Sequence, residues 1–174
     1  MSRLDIGALN AAADARAAEA LAPLFEGAPR FLRRLVAARP FGDSASLFAT
    51  GRVIAHAMPE DEQVELIDAH PRLGAAPESV SALSFREQGY DREPAEQEAV
   101  AVEAERRRVA AELERLNEAY EARFGFRYCV FVAGRSRAGL LPDMAAALSA
   151  DRDAELHRAL DAVVDIAMAR HDAG

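Results

Sequence analysis

Apolar residues in this chain recur mostly at helical spacing, seldom in strict alternation. Phe31, Leu32, Leu35 and Val36 mark one buried helical face, with Arg33, Arg34 and Arg39 assigned largely to the other side. Gly27 and Pro29 break the chain before that helix, and Pro40 and Gly42 end it. Leu4 to Leu9 is a short opening segment, and Asp14 is read as the cap of an alanine-rich helix through Phe25. Asp43 or Ser44 caps the next helix, whose Leu47, Phe48 and Ile54 face inward. Pro59 opens another, followed by Glu60, Asp61 and Glu62, the acidic first turn that the helix dipole favours. It carries Val64, Leu66 and Ile67 down to His70. Gly89 to Pro94 is polar and turn-like, and the longest helix is expected from Ala95 to Phe124. In it Val109, Leu113, Leu116 and Tyr120 keep an i, i+4, i+7, i+11 spacing. The run Arg106-Arg107-Arg108 reads as a solvated face paired with Glu103, Glu105 and Glu112. Ser136 caps a short helix toward Leu148, interrupted by Pro142. Asp151 starts the last helix, with Leu156, Leu160, Val163, Val164 and Ile166 as its apolar positions.

Phe126 to Val132 departs from this rhythm. Tyr, Val and Phe between Gly125 and Gly134 give it strand propensity, yet no second strand of similar quality exists to pair with it. It is expected to be a buried extended or irregular segment, and its backbone N–H and C=O groups then need partners, some of which a polar ligand can supply. The expected fold class is all-α: a single domain over residues 1–174, an irregular multihelical array of long and short helices with one buried extended segment.

Composition narrows the function. The chain has 174 residues, 51% of them hydrophobic, enough for one full core. A net charge of −8 argues against nucleic acid or an anionic membrane as partner. No apolar stretch approaches the roughly 18 residues of a membrane span, and no secretory leader is visible. Cys129 is the single cysteine, so no intramolecular disulfide is possible; with the missing leader this points to a cytoplasmic protein. Cys129 lies in an apolar run that raises a thiol's pKa, which argues against a Cys129–His70 nucleophilic pair. No histidines are spaced for a metal, and no glycine-rich phosphate loop is present.

The candidate chemistry lies between Asp68 and Gln88, DAHPRLGAAPESVSALSFREQ. His70 precedes Pro71, which pushes it out of the α region and ends the helix there. The histidine then projects from a helix C-terminus, where the carbonyl dipole favours an imidazolium. Past a loop marked by Gly74 and Pro77, Ser84, Glu87 and Gln88 are spaced i, i+3, i+4 and share one helical face. A hydroxyl, a carboxylate and a carboxamide beside a histidine suit a small polar ligand. Arg135, after Gly134, offers a guanidinium that can grip a carboxylate or imide in bidentate fashion. His56, His157 and His171 sit in ordinary helical or terminal contexts and read as structural or solvent-exposed.

HPRLG, then S-x-x-E-Q, then LNEAYEARFGFRYCVFVAG from Leu116 stand in an order and spacing that resemble the 2-oxo-4-hydroxy-4-carboxy-5-ureidoimidazoline (OHCU) decarboxylase family over nearly the whole chain. The resemblance implies an all-α homodimer without cofactor that converts this ureidoimidazoline to (S)-allantoin in urate degradation. It implies His70 and Glu87 as catalytic residues. Pro71, Ser84, Gln88, Phe131, Val132 and Arg135 would contact the substrate, the middle of the apolar run through its backbone. Two other classes stay open: an enzyme of this fold acting on another ureido or hydantoin-like substrate, and a non-catalytic helical scaffold that binds a partner.

Overall fold

The computed structural model describes residues 3–75, 80–88 and 99–174, with side chains from 103 onward in the last stretch. The expected turn at Gly89–Pro94 and the helix start at Ala95 lie outside the described residues. Within them the chain forms nine α-helices and no strand, so the all-α expectation holds. The helices are α1 (Ile6–Ala11), α2 (Asp14–Leu21), α3 (Pro29–Ala37), α4 (Ser44–Ala57), α5 (Glu60–Asp68), α6 (Ala82–Glu87), α7 (Ala99–Phe124), α8 (Arg137–Ala147) and α9 (Arg152–Asp172), with a 3-10 turn at Ala22–Leu24.

The chain divides into two compact units. The first comprises Met1–His70, Cys129–Phe131 and Leu156–Gly174. Helix α3 lies at its centre and packs against α2, α4 and α5. Its four predicted apolar positions are all buried, and Phe31 stacks at 4.8 Å on Phe25. Gly51 of α4 faces the Phe31 ring, where a Cβ would lie at an ordinary contact distance of 3.6 Å. Asp43 caps α4 through a capping box with Ser46. Arg30 and Arg34 bind α5, the first through Asp61 and Glu65, the second through both oxygens of Glu62 at 2.6 and 3.0 Å. Arg39 corrects the sequence reading. Its side chain turns inward and donates to the carbonyls of Leu9, Ala12 and Val36, because the ends of α1 and α3 leave acceptors without helical partners. Asp14 is the first residue of α2 and Ala13 its cap; the Asp14 carboxylate accepts from Arg39 at 2.6 Å. Arg170 of α9, its side chain 1% exposed, pairs with Glu26 at 2.8 Å and donates to the carbonyls of Pro23 and Leu24.

The second unit comprises Pro71–Tyr128 and Val132–Glu155. Val109, Leu113, Leu116, Tyr120 and Phe124 are buried along α7, as their spacing requires. Tyr120 meets Phe124, Phe126 and Tyr128 at 4.6, 5.8 and 5.1 Å, and its hydroxyl donates to Glu155 at 2.7 Å. Gly125, at φ +80°, ends α7 in a conformation that glycine adopts without strain. Phe126 to Val132 then runs without regular structure. The arginine run on α7 is solvated, Arg107 pairing with Glu103 and Arg108 with Glu105, while Glu112 pairs with Arg115. Pro142 does not interrupt α8. The hydrogen bond it forfeits belongs to the carbonyl of Ala138, an exposed residue near the helix start.

Two measurements check this packing. Glu26→Gln leaves the buried Arg170 without its carboxylate and should lower unfolding stability by roughly 3 kcal/mol in urea titrations. Hydrogen bonds from Arg34 hold the Glu62 carboxyl below its ordinary value of 4.5. A depressed folded value means stability that is present above the ordinary value and lost as pH falls through the folded one. The gap in urea midpoint between the wild type and Glu62→Gln should therefore be full at neutral pH and close as pH drops below 4.5.

Candidate functional site

Helix α5 ends at Asp68, two residues before His70, with Ala69 as its C-cap, and the His70 N–H still reaches the Ile67 carbonyl at 3.1 Å. The ring is buried, at 4% exposure, and its Nδ1 lies 3.3 Å from the Leu66 carbonyl oxygen. A carbonyl only accepts, so this bond requires the proton on Nδ1. In the neutral form of the ring the basic lone pair then lies on Nε2.

Helix α6 carries the second motif. Ser81 caps it, its hydroxyl oxygen accepting from the Ser84 N–H at 3.2 Å. Ser84 is buried and Glu87 half-buried. Gln88 is the C-cap, its N–H donating to the Ser84 carbonyl at 2.9 Å. The Gln88 side chain reaches fourteen residues back along the chain: Oε1 accepts from the Gly74 N–H at 2.7 Å, and Nε2 donates to the Arg72 carbonyl at 3.3 Å. One carboxamide thus holds HPRLG and S-x-x-E-Q together by a reciprocal pair of bonds. Arg137, the first residue of α8, donates from Nε to the Gln88 carbonyl at 3.1 Å.

Helix α7 holds the same loop from another direction. Glu114, Asn117 and Glu121, at i, i+3 and i+7, lie along one side of it. Glu121 takes Arg72 in a two-pronged bridge at 2.6 and 2.5 Å, and Glu114 adds a contact at 3.2 Å. These bonds, the Glu121 ones foremost, raise the Arg72 guanidinium pKa still further above its ordinary value. Asn117 donates from Nδ2 to the Leu73 carbonyl at 3.0 Å. Its buried Oδ1 has no partner among the described residues, a burden of about 1–3 kcal/mol. Gly74 sits at φ +83°, and a Cβ added there would come within 2.9 Å of Leu113 Cδ1.

Pro71 is half-buried at the start of the second unit. Phe131 is 36% exposed. The Val132 carbonyl accepts from the Arg135 N–H at 3.0 Å and from its Nε at 3.2 Å, and Arg135 Nη1 binds Asp143 at 2.8 Å. Among the other histidines, His56 Nε2 meets Asp161 at 2.8 Å and its ring packs edge-on against His157. His171 is buried, its Nδ1 accepting from the Leu4 N–H. Among the described residues no three His, Cys, Asp or Glu side chains gather as a metal site. Nor is any helix there long and apolar enough to cross a membrane.

Sequence reasoning passed over Asn117, Glu121 and Arg137. For Asn117 a signal existed: an asparagine at i+4 from Leu113, on the apolar side of a long helix, is a polar group in a buried position. Glu121 and Arg137 carried none, since each stands among many charges.

The sequence profile described as OHCU decarboxylase matches residues 10–172. A uric acid degradation bifunctional protein, PucL, of Bacillus subtilis is 31% identical over 87% of this chain, which spans only 29% of that longer protein. A 2-oxo-4-hydroxy-4-carboxy-5-ureidoimidazoline decarboxylase of Haloferax volcanii is 26% identical over 98% of this chain and 95% of its own length. Two solved structures share the fold. An OHCU decarboxylase crystallised in the presence of (S)-allantoin has a TM-score of 0.67 at 19% identity, over 93% of this chain and 97% of that one. An (S)-allantoin synthase has a TM-score of 0.66 at 21% identity, over 98% of this chain and 53% of the other. With the profile spanning nearly every residue and the motifs in place, the chain belongs to the OHCU decarboxylase family of carboxy-lyases.

Proposed function

We propose that this chain decarboxylates 2-oxo-4-hydroxy-4-carboxy-5-ureidoimidazoline to (S)-allantoin without a cofactor. The observation that supports it most is the reciprocal pairing of the Gln88 carboxamide with Arg72 and Gly74. It joins the loop that follows His70 to the helix that carries Ser84 and Glu87. The relatives that match are named for this reaction or for urate breakdown.

The substrate supplies its own electron sink. Its carbon 4 bears both the carboxylate and a hydroxyl, next to a carbon 5 doubly bonded to nitrogen. When the C4–carboxylate bond breaks, its electron pair forms a C4–C5 double bond, and the former C=N pair moves to nitrogen, which takes a proton. The resulting enol loses its hydroxyl proton as carbon 5 gains one, giving the ring carbonyl of allantoin. The enzyme must hold the carboxylate out of the ring plane and move protons on one face. His70 does the second task from Nε2, polarising or deprotonating the hydroxyl and returning the proton. Glu87 sets the protonation of His70 or of the substrate. Pro71, Ser84 and Gln88 border the ring and ureido group. The backbone of Phe131 and Val132 meets the substrate's amide edges, and Arg135 takes a carboxylate or carbonyl oxygen. We place this chemistry in one cytoplasmic domain that works as a homodimer.

The reaction is followed by circular dichroism on freshly oxidised urate. His70→Asn should lower kcat by roughly 100-fold or more with helical content intact; a rate within a few-fold of wild type removes His70 from the mechanism. Arg135→Lys keeps the charge and loses the planar fork. Its affinity for (S)-allantoin, read by calorimetry, should fall roughly 10-fold, about 1.4 kcal/mol. Unchanged affinity would remove Arg135 from substrate binding and leave it its contacts within the chain, Asp143 and the Val132 carbonyl among them.

A further inference from the structure

We propose that Arg72, Asn117 and Glu121 are positioning residues of the reaction. From α7, Asn117 and Glu121 hold the loop that begins with the peptide bond to His70, and Gln88 carries that registration to α6. This inference rests on the decarboxylase reading above.

Three consecutive loop residues are each held by a side chain from a helix. Glu121 grips the Arg72 side chain with both oxygens, Asn117 takes the Leu73 carbonyl, and Gln88 takes the Arg72 carbonyl and the Gly74 N–H. Pro71 has its φ fixed by its ring. The backbone that leaves His70 is therefore constrained at every residue from 71 to 74. Proton transfer needs donor and acceptor within a narrow range of separation, and a misplacement of about 1 Å costs on the order of 100-fold in rate.

Asn117 is 1% exposed and adjoins Leu113, Leu116 and Tyr120 on the buried side of α7. Its Nδ2 serves the Leu73 carbonyl of the loop, while its buried Oδ1 has no partner among the described residues. A half-satisfied polar side chain among apolar neighbours, engaged through one backbone contact, points to that contact as its role. The Arg72–Glu121 bridge is about three-quarters shielded on the Glu121 side, and its fork geometry fixes direction as well as distance.

A loop held only for stability and a loop held for catalysis respond differently to Asn117→Leu. The variant exchanges the orphan Oδ1 for an orphan Leu73 carbonyl, so its urea midpoint should stay close to that of wild type. Its kcat should nevertheless fall roughly 10-fold, with KM changed less than about 3-fold, because Ser84, Phe131, Val132 and Arg135 lie outside the loop that shifts. Glu121→Gln, on a half-buried face that tolerates the change, should show the same split and covers the case in which Asn117→Leu fails to fold. Arg72→Lys should lose kcat too, since a lysine cannot form the fork. Full kcat in folded Asn117→Leu or Glu121→Gln overturns the positioning role, as does a fall in kcat matched by an equal rise in KM. Absence of turnover in the wild type is a separate result: it overturns the decarboxylase reading and this inference with it.

Discussion

A proline directly after a histidine allows that histidine few backbone conformations. The Pro71 ring excludes the α region for His70, so α5 cannot continue through it. The chain must leave the helix there, and the imidazole turns back onto the last helical carbonyls, where the Leu66 oxygen selects one tautomer. The basic atom of the site thus follows from a steric clash one residue away. It also follows that the loop after Pro71 has no helix of its own to satisfy its backbone. Those groups are met by side chains from α6 and α7.

The helices were legible because their signals are local. The apolar spacing on α3 and α7, the capping box at Asp43 and the acidic turn of α5 each lie within a few residues, and each stands where the pattern put it. The irregular run from Phe126 was legible too, by the lack of any strand to pair with, although it is buried only in its first part and Phe131 is exposed. What escaped depends on distance along the chain. Arg39 reads as a surface arginine until α1 brings its terminal carbonyls within reach, thirty residues away in sequence. Pro142 reads as a break until the carbonyl it deprives proves to be exposed.

The candidate site shows the same division. His70, Ser84 and Glu87 were read from the proline next to one and from the spacing of the others. Gln88 was read on the same face, but its side chain is engaged by loop backbone, which no spacing rule reveals. Arg135 was chosen for following a glycine at the end of an apolar run, and its guanidinium meets Asp143 nearly two turns into the next helix. Charged residues are the hardest to place from sequence, because many partners are equally plausible until the fold selects one.

The close approach of Gly74 to Leu113 has an evolutionary consequence. With a Cβ excluded at 2.9 Å from that leucine, and a backbone angle that other residues adopt only under strain, position 74 has no neutral single step open to it. A smaller residue at 113 opens the space but leaves a hole in the core of α7, and the strained backbone angle stays. A change at 74 therefore has to meet both costs. Among distant relatives, a residue other than glycine at 74 should mark a branch whose long helix has been repacked.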